Sequence, residues 1–206
     1  MARPPRYDMS HFLDAAVELA ADAGPSAVTM AAVAKAVGAP SGSVYHRFPG
    51  RPALLAEVWL RTVEGFQEGW FAALGSGAGD PRAAARAAAV HVVAWSRAHP
   101  RAAALLLYGA AEFAQDDWPE PSVLRAEAGH RQVGEAVAGL CAELGAELGA
   151  EAGPAADRVA LAVIDLPLTI VRRHLRRGQE LPAHAEDLAG QSALLLLGDA
   201  PGPGPG

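Results

Sequence analysis

The sequence predicts an all-α protein, with three short helices at the N-terminus and a bundle of longer ones behind them, about nine in all. Three observations lead there. Apolar residues recur at helical spacing through most of the chain, and no run shows the alternation of a half-buried strand. Glycine and proline fall between those runs, at Gly24-Pro25, Gly38, Gly50, Ser76 to Asp80 and Gly149 to Pro154. The 206 residues are 51% apolar and 19% charged, which suits a chain that buries a substantial core rather than a disordered one.

The first helix is predicted from about Ser10 to Ala23, with Phe12, Leu13, Ala16, Leu19 and Ala20 on one face and Gly24-Pro25 as its stop. Thr29 is a good N-cap for the next, whose Met30, Val33, Ala34 and Val37 form one apolar face. Gly38 stands where a left-handed residue must end that helix, and Pro40 where its missing N–H does no harm to the following one. Helix, glycine turn and helix at this spacing make a helix-turn-helix, whose second helix can enter a DNA major groove. That second helix, predicted over about Ser41 to Phe48, anchors Val44 and Phe48 inward, four residues apart. Its other side chains, Ser41, Ser43, Tyr45, His46 and Arg47, are small or hydrogen-bonding groups suited to base edges and phosphates. A polar connector would look much the same. Arg51 separates the two readings. It opens the next helix beside Pro52, where a cation opposes the helix dipole at a cost of about 0.3 kcal/mol. Free N–H groups and a cation that converge on one anion make a phosphate clamp, so the choice fits DNA backbone lying there.

Residues Phe12 to Leu55 resemble the DNA-binding domain of the tetracycline repressor (TetR) family of transcription regulators. The resemblance is carried by Ala15-Ala16, Gly24, Thr29, Val33-Ala34, Gly38, Gly42, Ser43, Tyr45, Phe48, Arg51 and Leu54-Leu55. It implies that Thr29, Ser43, Tyr45 and His46 touch a double-stranded operator and that Arg51 stands in the place of a phosphate-binding lysine. Ser41, a hydroxyl at the front of the same helix, joins them as a candidate DNA contact. Two positions depart from the pattern: Ala20 replaces a frequent aromatic, and Pro40 a frequent capping serine. The resemblance covers about a quarter of the chain.

The remaining helices follow in order. A long fourth helix, predicted over 51–74, carries Leu54, Leu55, Val58, Trp59, Val63 and Phe66 as an apolar stripe continuing past the first domain. Pro81 starts a fifth helix that Pro100 halts, a sixth covers about Pro100 to Tyr108, and a seventh runs to about Leu148. The eighth is predicted over Ala155 to Arg177 and the ninth over Ala183 to Leu197. The expected division is a helix-turn-helix domain over 1–52, a ligand-binding and dimerisation domain over 53–200, and a disordered Pro-Gly tail over 201–206. The N-terminal Ala2 to Arg6 is basic and extended, and fits either a DNA-tracking arm or a disordered leader. The eighth helix is apolar nearly all round between Val159 and Val171, so it needs cover on every face. A second copy of the chain supplies that cover in an isologous four-helix interface with the ninth helix, which makes a homodimer. A central helix buried within a monomer is the competing arrangement. Pro167 frees the Val163 carbonyl, and Asp165 lies beside that defect as a carboxylate in an apolar segment.

Charge and motif narrow the function. The net charge is −6, yet residues 1–51 hold five basic groups against four acidic, a local +1. The single cysteine, Cys141, excludes an internal disulfide and suits a reducing cytoplasm. No signal peptide or membrane span is read, and the expected location is cytoplasmic. Nucleophile elbows, zinc-protease helices, P-loops and dinucleotide fingerprints are absent from the sequence, which argues against an enzyme and against a cofactor. His91 and His99, eight residues apart on one helix, stand roughly 12 Å from each other, too far to share a metal unaided. The candidates for an effector pocket are His91, Trp95, Tyr108, Phe113, Trp118 and Asp165, aromatic or polar groups among helices. Under the resemblance, a small apolar or aromatic effector would move the fourth helix, respace the two recognition helices and release a repressor. The rival reading is a helical interaction protein that uses the helix-turn-helix only as a scaffold.

Overall fold

The computed structural model describes residues 8–77, 79–145 and 152–198. The basic arm, the predicted end of the seventh helix at Leu148 and the Pro-Gly tail lie outside the described residues. The described chain is helical throughout: α1 Met9–Ala23, α2 Met30–Val37, α3 Ser41–Tyr45, α4 Arg51–Gly75, α5 Pro81–Ala98, α6 Pro100–Leu105, α7 Glu120–Leu144, α8 Ala152–Ala160, α9 Leu166–Leu175 and α10 Ala185–Leu197. Short 3₁₀ turns at Pro25–Ala27, Ala110–Phe113 and Gln115–Asp117 fill the connections. No described helix is long and apolar enough to cross a membrane.

The helices fold into two compact units. One takes the chain up to Glu64 together with Arg101–Ala128, and the other takes Gly65–Pro100 and the chain from Gly129 onward. The sequence places a boundary at 52–53, where the helix-turn-helix ends. Packing places it elsewhere, because Leu105, Phe113 and Trp118 are buried in the same core as Phe12, Val33, Leu54 and Leu60. Arg125 at the front of α7 fastens this first unit further, donating to Glu57 (2.7 Å) and Glu64 (2.9 Å) of α4. Both α4 and α7 run on from the first unit into the second.

The second unit is built on small residues. Ala84, Ala85, Ala88 and Ala89 of α5 are buried, as are Ala185, Ala189, Gly190 and Ala193 of α10. Side chains this small let two helix backbones approach closely, and a β-carbon on Gly190 would already crowd Val90 and Arg86. Arg97 closes the end of this pair, donating to the Leu181 (3.2 Å) and Pro182 (3.0 Å) carbonyls and to Glu186 (3.0 Å). Gly69 of α4 has the His91 ring where a β-carbon would lie. This close approach allows His91 Nε2 to donate to the Phe66 carbonyl at 3.2 Å.

The predicted eighth helix is interrupted. After α8, residues Leu161–Asp165 form a π turn in which the Leu166 N–H reaches back five residues to the Leu161 carbonyl, and α9 then carries Pro167 in its first turn. Pro167 has no N–H for the Val163 carbonyl. The buried indole of Trp70 takes that place, with Nε1 donating to Val163 at 3.4 Å. The defect written into the sequence is therefore met by a side chain 93 residues away. Within one chain this helix is covered on only part of its surface, which leaves the expected cover by a second copy open. Val159, Ala162, Val163 and Val171 are buried, but Leu161, Asp165 and Thr169, each four residues from the next, are exposed. Asp165, a ligand candidate in the sequence, lies on that outward stripe and faces solvent, the alternative to a ligand role.

Trp70→Phe should destabilise the protein by about 1–3 kcal/mol in denaturant unfolding, since it leaves the buried Val163 carbonyl unmet. In a Pro167→Ala background, where the backbone regains its own donor, the cost of the same change should shrink. Burial pushes the His91 imidazole below its ordinary 6.5, against the opposing effect of the Phe66 carbonyl. The unfolded chain then takes up this proton at higher pH than the folded one, so His91 costs stability as pH falls through about 6.5. Thermal melts between about pH 7 and pH 5 should show a shallower loss in His91→Gln than in the parent protein.

Candidate nucleic-acid interface

The interface is built on the chain from Pro25 to Arg51. Thr29 caps α2, its Oγ accepting the Ala32 N–H at 3.1 Å, and the exposed hydroxyl keeps its own proton to donate. Met30, Val33 and Ala34 press this helix into the core. Gly38 ends it with φ 69° and ψ 27°, a left-handed conformation that strains any residue with a β-carbon. The Ala39 N–H then returns to the Ala34 carbonyl at 2.9 Å and closes the turn.

Helix α3 follows with Pro40 as its N-cap, with no side-chain hydrogen bond. It is shorter than predicted, Ser41–Tyr45 rather than reaching Phe48. Its end tightens because the Arg47 and Phe48 N–H groups both turn onto the Val44 carbonyl (3.0 and 2.9 Å), and Pro49 then disfavours helix at Phe48. Val44 and Phe48 are buried as expected. Ser41, His46 and Arg47 are exposed and Tyr45 is 58% exposed, so a phenol, an imidazole and a guanidinium stand out together beyond the apolar anchor. Ser43, expected among them, is half-buried.

Arg51 departs from the expected phosphate clamp. Its half-buried side chain turns back on the domain, with Nε donating to the Val28 carbonyl at 2.7 Å and Nη2 to the Pro25 carbonyl at 3.0 Å. The cations that do face solvent at this end are Lys35 in the last turn of α2 and Arg47, neither in an ion pair among the described residues. Both were readable as candidates in the sequence, since residues 23–56 contain three basic side chains and no Asp or Glu. The carboxylates of α1 are compensated nearby: Asp14 by Arg61 (2.5 Å), and Glu18 and Asp22 by Arg101 (2.6 Å each). Asp8 caps α1, and the Ser10 hydroxyl and His11 N–H hold its carboxyl down at about 2.

The six effector candidates divide between the units. Tyr108, Phe113 and Trp118 belong to the first unit, and His91, Trp95 and Asp165 to the second. Phe113 and Trp118 are core side chains. The Trp118 indole donates to the Phe113 carbonyl at 2.8 Å, and the Phe113 ring packs on Trp59 at 5.1 Å. Tyr108 meets Phe113 edge-on at the rim of that core, at 6.4 Å. In the second unit Trp95 stands edge-on to Phe66 (5.4 Å) and stacks on His99 (4.9 Å), while Phe66 lies 5.6 Å from His91. Phe66, His91 and Trp95 are all half-buried, which makes a continuous aromatic face on α4 and α5.

Residues 12–58 match the model of the bacterial regulatory proteins of the tetR family. No curated protein sequence matches the chain significantly. Among solved structures it resembles the fatty acid degradation regulator FadR from Bacillus halodurans, at 16% identity over 97% of this chain and 98% of that one, with a TM-score of 0.70. It is similar to the TetR family transcriptional regulator PfmR from Thermus thermophilus, at 21% identity over 94% and 97% of the two chains, with a TM-score of 0.66. FadR from Bacillus subtilis, solved in complex with stearoyl-CoA, aligns at 14% identity over 92% and 98%, with a TM-score of 0.68. Residues 12–58, which include the helix-turn-helix between Thr29 and Phe48, thus match the N-terminal domain of the tetR family of bacterial regulatory proteins, and the helical fold as a whole is like that of solved regulators such as PfmR.

Proposed function

We propose that the protein is a sequence-specific DNA-binding transcriptional regulator, a repressor that binds its operator as a homodimer and releases it on taking up a small apolar or aromatic ligand. The observation that carries this reading is the exposed set Tyr45, His46 and Arg47, held outward by the burial of Val44 and Phe48 in a stretch without a carboxylate. Tyr45, His46, Ser41 and Ser43 serve base edges or nearby phosphates. Thr29, Lys35 and Arg47 serve the backbone, where charge gives affinity without sequence preference. Helix α3 is short enough that one copy reads only a few base pairs, so two copies on adjacent turns of a duplex supply the rest.

Dimerisation is supported by what the second unit leaves uncovered. Leu161 is 42% exposed, Leu188 46% and Leu195 77%, all on the last helical elements of the chain. A second copy that packs its own α8 to α10 against these would remove them from water at roughly 25 cal/mol per Å² of apolar surface. The ligand site lies on the aromatic face of Phe66, His91 and Trp95. An apolar body packs against the rings, and a ligand there touches α4 directly. Because α4 begins at Arg51, just after the recognition helix, a shift of α4 is a direct route from ligand to DNA contact.

Duplexes selected from a random pool should bind the protein, and Tyr45→Ala should cost about 1–3 kcal/mol against the selected sequence with little change on scrambled DNA. Arg47→Ala should weaken both alike and lower the salt slope by about one. A purified protein that selects no sequence would sink this reading in favour of the scaffold one. In sedimentation, Leu188→Glu with Leu195→Glu should convert dimer to monomer and reduce binding to two-half-site DNA far more than to a single half-site.

A further inference from the structure

We infer that Arg51 governs DNA reading from inside the protein, as a positioning residue that clasps the start of the helix-turn-helix to its end, rather than as a phosphate contact; this rests on the operator-binding reading above. The two acceptors define the role. Val28 is fully buried and precedes the cap of α2 in an extended conformation, so its carbonyl has no donor within that helix. The Ala32 N–H, unpaired within the first turn, is met by the Thr29 hydroxyl instead. Among the described residues, Arg51 Nε is the donor that satisfies the Val28 carbonyl, at 2.7 Å. The Pro25 carbonyl already accepts the Val28 N–H at 3.2 Å and takes Arg51 Nη2 as its second donor, at 3.0 Å.

These bonds join residues 23 and 26 positions apart, and α3 lies within the loop they close. Thr29 follows Val28 directly, and Arg51 is itself the first residue of α4. The clasp therefore fixes where α2 starts relative to where α4 starts, the two points between which α3 is hung. A cation at a helix N-terminus is electrostatically unfavourable, and the two carbonyl dipoles offset it. The rigid guanidinium fork reaches both oxygens through separate nitrogens, whereas a lysine ammonium offers one nitrogen and cannot span them in the same way. Arginine at this position has a structural reason that lysine would not meet.

The test begins with the unmodified protein. In ¹⁵N spectra the Arg51 Nε–H should be protected from solvent exchange without DNA and should shift little when selected duplex is added, while Arg47 Nε–H moves. An Arg51 signal that exchanges freely until DNA arrives would overturn the clasp. Arg51→Lys and Arg51→Gln should then behave alike. Each should reduce the preference for selected over scrambled duplex by about ten-fold, with the salt slope and scrambled-DNA affinity unchanged and the far-UV spectrum retained. Restoration by lysine, or a slope lower by about one in the glutamine variant alone, would overturn the proposal in favour of a phosphate contact. Amide exchange of α2 in DNA-free Arg51→Lys gives a readout that does not depend on DNA. It should accelerate at Ala32 and Val33, and unchanged rates there would refute the clasp even if the parent protein selected no operator.

Discussion

A helix of five residues cannot hold itself together in water, because nucleation costs more than so few hydrogen bonds return. Everything at the helix-turn-helix depends on solving that problem for α3. The solution is burial. Val44 and Phe48 enter a core with Phe12, Val33 and Leu54, and this fixes the rotation of α3 about its axis. Tyr45, His46 and Arg47 then point outward because no other face is left to them. The Gly38 turn sets the angle of entry, and Pro49 prevents the helix from growing into a rod that would carry Phe48 out of the core.

The same economy shows in the charges. A chain of net −6 is a poor polyanion binder when read as a whole. Its carboxylates on α1 are met by Arg61 and Arg101, while Lys35 and Arg47 face solvent from a stretch with no acid in it. Exposed ion pairs of this kind contribute little to stability. Their effect is on the local field, which is what an approaching phosphate meets within a Debye length.

In the second unit, irregularities in one helix are repaired by another. Pro167 removes a donor from the α8 to α9 run, the chain widens into a π turn, and Trp70 of α4 supplies the missing N–H to Val163. The glycine at 69 admits His91 against α4, where its ring bonds the Phe66 carbonyl. Helix α4 thus carries, within one unbroken span, the Arg51 clasp, the aromatic face and the Trp70 repair.

Local chemistry settled much of this from the sequence alone. Helical periodicity, the Thr29 cap, the Gly38 stop and the Val44–Phe48 pair are decided by residues within a turn of each other, so the helix-turn-helix was legible before any packing was known. The cut between units was not. It depends on Leu105, Phe113 and Trp118 joining a core made by Phe12 to Leu60, far earlier in the chain, and periodicity carries no record of which apolar faces meet. The same limit hid the outward turn of Asp165 and the inward turn of Arg51. In each case the residue type announced a polar group in need of a partner, and the fold alone chose it: solvent for the carboxylate, and the Val28 and Pro25 carbonyls ahead of α2 for the guanidinium.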